Sequence, residues 1–356
     1  MGGIGKGVGR GLPLPAMLAL DADNQACLGL VAGQIWTRQG RVATPHGKRR
    51  PQEKESWRWI STAERAKEVL AAVAMVTVID DREGDIYAKW ASVAAPNVHL
   101  LTRSMHDRVL ADERSLYDAA ASLPIADVAT IELMARANRP ARKAKLALRF
   151  GGVTLQRPRG PGMRDLPKTV ALSLIEVAEL DPPAGIEPLH WYLLTTHQIG
   201  DAAAAWQVVD WYKRRWTIEQ LFRILKTQGL QIEDSRVESA DRLLKLTAIA
   251  AKAAVITLQL VQARDGHGAE AASIAFDDDE IHLLDALGRQ YQGRTALQSN
   301  PRPPCSLAWA AWIIARLGGW DGYPRTKPGP ITIKNGLEYF LGVAQAHRHL
   351  KDVCIN

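Results

Sequence analysis

Cysteine is scarce: Cys27, Cys305 and Cys354 stand far apart in the 356 residues, and no CxxC pair occurs. That excludes a disulfide framework and a cysteine-built zinc site as expectations. The nine histidines are scattered, and His347 and His349 are two apart, on different faces of any helix they share. A histidine metal site is therefore not expected either. No apolar h-region follows Lys6 and Arg10, so no secretory signal is read. The longest apolar stretch, Leu246 to Val261, is interrupted by Lys252 and Gln259, which suits a core helix better than a membrane span. The expectation is a cytoplasmic protein with no membrane partner.

Two further absences narrow the field. The start is rich in glycine (Gly2, Gly3, Gly5, Gly7, Gly9 and Gly11), but Lys6 is followed by Gly7 rather than Ser or Thr, and no GxGxxG spacing fits. A phosphate-cradling loop is thus rejected in favour of a flexible loop between strands. Between Arg136 and Arg164 there are nine Arg or Lys residues and no acid. The whole chain carries a formal net charge of +7 and a pI near 9.3, a balance that favours a polyanionic partner.

What is present reads as an α/β segment followed by helices. Ala16–Leu20 and Cys27–Trp36 are strand-like runs joined by the turn Asp21–Asn24, and residues 38–57 form a polar, basic loop. Thr62–Ala74 is expected to be a helix, Met75–Ile79 a buried strand, Gly84–Val93 a helix and Val98–Thr102 a strand. Residues 128–197 break into short β-type runs: Thr130–Met134, Lys145–Phe150, Val153–Leu155, Val170–Val177 and Trp191–Thr196. From Asp201, which can cap it, a long helix runs to about Gln228, with Gly229 as its stop. Helices are also expected over Ala240–Ala263, Asp279–Leu287, Ser306–Leu317 and Thr332–His349.

Two constellations carry chemistry. On the long helix Tyr212, Arg215, Glu219 and Lys226 fall within about 60° of one another at about 100° per residue. The plainer reading is a solvated face with Arg215 and Glu219 as an i,i+4 pair. The second is Val78-Ile-Asp-Asp-Arg-Glu-Gly-Asp-Ile-Tyr87, in which Asp81 stands where a buried strand gives way to a helix. Alone, Asp81 reads best as an N-cap; the functional alternative is a metal ligand at a strand's C-terminal edge.

Taken together the two are specific. Asp-Arg-Glu-Gly-Asp-Ile-Tyr resembles the second-aspartate motif of insertion-sequence DDE transposases, and Tyr-x2-Arg-x3-Glu-x6-Lys is similar to the signature around their catalytic glutamate. The likeness extends through Arg139-Pro-Ala-Arg-Lys-Ala-Lys, Leu189-His-Trp-Tyr-Leu-Leu-Thr-Thr and Leu307-Ala-Trp-Ala-Ala-Trp-Ile-Ile-Ala-Arg-Leu-Gly-Gly, and points to the IS-four and Tn-five group. The resemblance implies an α/β, RNase H-like catalytic core with a β-rich insertion and a C-terminal α-helical region. It implies a core over 1–103, the insertion over 104–200, core helices over 201–265 and a dimerisation region over 266–356. Asp81 and Glu219 match the second and third catalytic carboxylates, binding Mg2+ or Mn2+. Tyr212, Arg215 and Lys226 match phosphate-contacting residues, with Arg223 at a further basic position and Arg82 and Arg103 near the site. Trp191 matches an aromatic that stacks on a flipped base, a core tryptophan being the plain alternative. The implied partners are double-stranded DNA, namely transposon ends and target, and a second transposase, as a homodimer or a heterodimer with a full-length relative.

The chain begins inside the glycine-rich loop, after the strand that carries the family's first catalytic aspartate. That residue and an N-terminal DNA-recognition domain are expected to be missing, leaving the chain inactive alone. Asp21 and Asp23, the nearest acids, are rejected as substitutes. Two other functions compete: a non-catalytic partner that pairs with and blocks a full-length transposase, and a metal-dependent nuclease of similar fold. Ser306–Leu317 is almost uncharged, and either packs within the chain or forms a symmetric contact through Trp309 and Ile313.

Overall fold

Glycine has no side chain to hold strands apart, and the first ladder uses this. In the computed structural model Gly2–Gly3 (β1) and Arg10–Gly11 (β2) pair antiparallel, Gly2 opposite Gly11. Part of the expected loop is thus a short ladder. The structure describes residues 2–3, 10–11, 14–35, 44–133, 141–237, 239–266, 268–293, 295, 298–323 and 325–355. Ala16–Leu20 (β3) and Cys27–Gly33 (β4) form their own two-stranded sheet; the expected reach of β4 to Trp36 lies outside the described residues. Two compact units emerge, Met1–Met17 with Val31–Arg215, and Leu18–Leu30 with Trp216–Asn356.

In the first unit Trp57–Val69 (α1) starts five residues before the expected Thr62, because Ile60, Ala63 and Ala66 recur every third residue and turn one apolar stripe inward. Val76–Asp80 (β5), Tyr87–Ser92 (α2) and Val98–Arg103 (β6) make a parallel pair with a helical crossover, Val78 opposite Leu100. Leu116–Ser122 (α3) was not anticipated; the Ser115 Oγ accepts the Asp118 amide at 3.1 Å and caps it.

The β-rich stretch does not stand apart. Asp127–Leu133 (β7), Arg142–Gln156 (β8), Thr169–Leu180 (β9) and His190–Thr195 (β10) continue the same sheet, in the order β5-β6-β10-β9-β8-β7. Two runs read as separate strands are one in β8, joined through Gly151 and Gly152. A Cβ at Gly151 would lie 2.7 Å from the end of the Leu123 side chain, whereas one at Gly152 would meet nothing within 4 Å. Successive residues face opposite ways: Leu100, Leu174 and Leu194 pack with α1, α2 and α3, while Leu101, Ile175 and Leu193 pack with Ala202–Arg214 (α4). Both faces are covered, which is why these strands read as continuous apolar runs.

The long helix expected from Asp201 to Gln228 is interrupted. α4 ends at Arg214, Arg215 closes back on the Tyr212 carbonyl at 3.1 Å, and Trp216–Lys226 (α5) opens the second unit. The stripe Tyr212, Arg215, Glu219, Lys226 is therefore shared between two helices.

In the second unit Ala240–Ala263 (α6), Asp278–Gln290 (α7) and Pro330–Ile355 (α9) surround Leu307–Leu317 (α8). By length and composition α6 could cross a membrane, but half of its most apolar window is buried inside the structure. Gln259 on α6 is buried and donates to the Cys27 carbonyl at 3.0 Å, and Gln262 accepts the Cys27 amide at 3.0 Å.

Of the two readings offered for α8, the structure takes the internal one. Leu307, Trp309, Trp312, Ile313 and Ile314 are all buried, so Trp309 and Ile313 offer no face to a second copy. The cause is a close helix crossing. A Cβ at Gly336 would stand 1.8 Å from the Ile314 carbonyl oxygen, and one at Gly318 2.0 Å from the Thr332 carbonyl oxygen. Glycine at both positions lets α9 close over α8.

Candidate active site

Strand β5 ends in Asp80, and the next residues carry a knot of acids whose fates diverge. Val78 and Asp80 point to the same, buried side of the strand. Asp80 is almost wholly buried and ion-paired with the equally buried Lys89 of α2. Gly84 packs against it so closely that an added Cβ would lie 2.3 Å from the Asp80 Cβ. Asp85 is also buried. Its carboxylate takes the Met105 amide at 2.9 Å, the Arg108 Nε at 2.9 Å and the Ser104 hydroxyl at 3.3 Å. It thereby ties the exit of β6 to the turn after β5.

Asp81 alternates outward and stays accessible, its side chain 37% exposed. One carboxylate oxygen accepts the Glu83 amide at 2.9 Å, so Asp81 is indeed an N-cap, of the short 3-10 turn Arg82–Gly84. The other oxygen faces the Arg215 guanidinium at 3.7 Å. The cap and the ion pair use different oxygens, so the plain and the functional readings of Asp81 are compatible.

Around Asp81 the first unit gathers cations and aromatics from separate elements. Arg82 is exposed on the turn after β5. Arg103, the last residue of β6, donates to the His190 carbonyl at 3.0 Å and lies near the Tyr212 hydroxyl. Burial, and then Arg82 beside it, push the Arg103 guanidinium below its ordinary value. Tyr212 on α4 is buried, and burial pushes its hydroxyl up, against the pull of Arg103 and Arg215. Its ring meets the half-buried Trp191 edge-on, centroids 5.5 Å apart. Trp191 rests on the cluster beneath α4, as the plain reading supposed, yet keeps part of its ring exposed. One unit thus assembles Asp81, Arg82, Arg103, Trp191, Tyr212 and Arg215.

Glu219, Arg223 and Lys226 lie on α5 in the second unit. All three are exposed, while Leu221, Ile224 and Leu225 face inward. Lys226 pairs with Glu233 at 2.9 Å. Asp21 sits at the tip of the β3–β4 hairpin, where its carboxylate accepts the Asp23 and Asn24 amides at 2.8 and 3.0 Å. That is the role of an aspartate in a turn.

The acid-free basic run finds its acids on the neighbouring strand. Arg142 pairs with Glu179, and Arg149 with Glu176 directly across the ladder at 2.8 Å. Arg136 and Arg139 lie outside the described residues. The spacing along one strand could not show this neutralisation, because cross-strand partners are far away in sequence.

Asp81 supplies hard oxygen suited to a divalent cation of the Mg2+ kind, at the edge of a sheet. Among the described residues, however, no group of three His, Cys, Asp or Glu side chains is placed to hold a metal ion. Comparison with protein families is decisive at the level of class: the model described as "Transposase DDE domain" matches residues 46–256, more than half of the chain.

Proposed function

We propose, from the premise that this chain belongs to the transposase DDE domain family, that it acts on double-stranded DNA at transposon ends, through Asp81 and Glu219 as paired carboxylates. Transposase function and the RNase H-like α/β fold follow from the family, as do a DNA substrate and a general use of divalent metal. The assignment to individual residues and to the IS-four and Tn-five group is our reading. Asp81 and Glu219 would hold Mg2+ or Mn2+, which when bound activates the attacking oxygen and stabilises the leaving one at a phosphodiester.

The observation that carries the reading is the cationic cluster in the first unit. Arg82, Arg103 and Arg215 outnumber Asp81 in charge, so the surface beside the strand edge attracts phosphate. Tyr212 is buried against Arg103 and acts through it, fixing the direction of the guanidinium. Trp191 offers the exposed part of its ring to a base. Arg223 and Lys226 extend the basic surface of α5 beyond Glu219. Among the described residues no group of three His, Cys, Asp or Glu side chains is placed to hold a metal ion, so the reading for this chain is DNA and weak metal binding without strand cleavage on its own. Pairing of two copies on DNA is retained as part of the proposal, through a surface other than α8.

The test is titration of duplex DNA at several salt concentrations, with Mn2+ binding followed in parallel. Arg82→Ala with Arg103→Ala is expected to weaken DNA binding and flatten its salt dependence. Asp81→Asn and Glu219→Gln are expected to remove Mn2+ binding while DNA binding persists. Retention of Mn2+ binding in both carboxylate variants would overturn the assignment, and robust metal-dependent cleavage by the chain alone would overturn the claim of inactivity.

A further inference from the structure

The two faces of β10 carry two different aromatic groups, and Arg103, on the Trp191 face opposite Leu193, reaches the His190 backbone carbonyl between them. On one face Trp191 meets Tyr212. On the other, three rings form a short column: Tyr117 stacks on Tyr192 with centroids 4.2 Å apart and planes 15° apart, and His190 lies 4.4 Å from Tyr192, its plane tilted by 45°. Tyr117 comes from α3 and the other two rings from β10, so the column joins a helix to a strand.

The column is held rigidly from beneath. Glu176 on β9 is buried and directly opposite both Arg149 and Tyr192 in the sheet. Its carboxylate accepts from Arg149 at 2.8 Å, faces the His190 Nε2 at 2.8 Å and lies near the Tyr192 hydroxyl. Burial, and then the Glu176 charge, push the Tyr192 hydroxyl up to about 12, which keeps it a donor. A buried acid–base pair contributes little net stability against apolar residues of the same shape. Its effect here is to fix the orientation of the His190 ring beside Tyr192.

One end of the column is open. The His190 side chain is 42% exposed, whereas Tyr117 and Tyr192 are half-buried. Two guanidiniums lie by that end: Arg103 is bound to the His190 carbonyl at 3.0 Å, and Arg82 lies near both Tyr117 and Arg103. The acids near the rings are engaged: Asp107 accepts the Tyr117 amide at 2.9 Å, Asp85 pairs with Arg108, and Glu176 with Arg149 and His190. An aromatic surface flanked by two guanidiniums fits a nucleotide, with ring on ring and phosphate on guanidinium.

We infer that the Tyr117–Tyr192–His190 column is a second stacking platform, on the face of β10 opposite Trp191, which receives an unpaired base of the DNA strand whose phosphates lie on Arg82 and Arg103. The inference rests on the DNA reading above. The platform distinguishes paired from unpaired DNA, because a base inside a duplex has no free face to offer it.

The test compares two duplexes in EDTA, one fully paired and one carrying a single unpaired fluorescent purine analogue, read by affinity and by quenching of the analogue. The unaltered chain is expected to favour the unpaired base and to quench it. His190→Ala should weaken that binding about tenfold and restore the fluorescence, while His190→Phe retains both and the fully paired duplex changes by less than about twofold. Far-UV spectra establish that each variant is folded; Tyr117→Leu, which shortens the column from its other end, gives a second reading should His190→Ala misfold. Unchanged quenching in folded variants, or quenching lost only in Trp191→Ala, would overturn the platform and leave the DNA reading standing. Failure of the unaltered chain to bind either duplex would overturn both.

Discussion

The sheet unit hides acid–base pairs in its interior, Asp80 with Lys89, Asp85 with Arg108, Glu179 with Arg142 and Glu176 with Arg149. The helical unit is built around α8 from Leu, Ile, Trp and Ala, and its ion pairs, such as Lys351 with Asp279, sit at the surface. Apolar burial is non-directional and supplies most of the driving force for folding. Buried pairs supply little net energy but demand one geometry. The two units therefore differ in what their interiors determine. α8 holds its unit together, whereas the pairs at the ends of β5, β6 and β9 aim the residues around Asp81, Arg103 and His190.

The sharpest way to break this contrast is to remove one member of a hidden pair. Lys89→Met leaves Asp80 charged and without its partner, and should lower stability by about 4 kcal/mol in chemical denaturation. Adding Asp80→Asn should recover most of the loss; no recovery would mean that Lys89 matters through its packing. In the helical unit the corresponding break is steric. Gly336→Ala places a methyl against the Ile314 carbonyl and should cost about 3 kcal/mol, read from helical circular dichroism. Gly342→Ala on the same helix meets nothing within 4 Å and should instead stabilise, by up to about 1 kcal/mol. Equal effects from the two glycines would remove the close crossing as the reason for glycine in α9.

Helix caps allow a like-for-like comparison of the units. The Ser115 hydroxyl caps α3 in the first, and Asp277 forms a capping box with Glu280 on α7 in the second. Ser115→Ala and Asp277→Ala should each cost about 1 kcal/mol in thermal unfolding. A large difference between them would show that one unit transmits local loss more strongly than the other.

A further comparison is one of pH, and it belongs to the sheet unit. His197 stacks on His99 at 3.9 Å and bonds the Thr77 hydroxyl at 2.8 Å; burial, and then His99, lower it from 6.5 to about 4. The unfolded chain takes up this proton first, so the fold loses stability as pH falls from about 6.5 to about 4 and is indifferent to this group above that window. Midpoints of urea unfolding across the window should show the slope, and His197→Gln should abolish it.

Much of the local structure was readable because it rests on local rules. Ala240–Ala263 was placed to the residue, and β5, β6 and β10 to within a residue or two, since their apolar patterns follow directly from burial. The start of α1 and the whole of α3 were missed, because polar neighbours obscured Trp57 and the Ser115 cap is short. The break at Arg215 was missed for a different reason. Tyr212 through Lys226 has uninterrupted helical periodicity, and neither Gly nor Pro marks the interruption.

For the site, the family was recoverable from motif spacing. The roles of Asp80, Asp85 and Glu176 were not, because nothing in the order of residues says which of several neighbouring acids turns inward or which basic residue meets it.

The sequence by itself determined what depends on neighbours along the chain: the helical and strand periodicities, the Asp-Arg-Glu-Gly-Asp and Tyr-Arg-Glu-Lys spacings, and the basic balance that suits DNA. Only the tertiary structure decided what depends on neighbours across it. It seated α8 in the core, matched the basic strand β8 with the acids of β9, and stacked Tyr117 on Tyr192 across 75 positions of sequence. The physical reason is that burial and cross-strand pairing are properties of surfaces brought together by folding, whereas periodicity is a property of the chain before it folds.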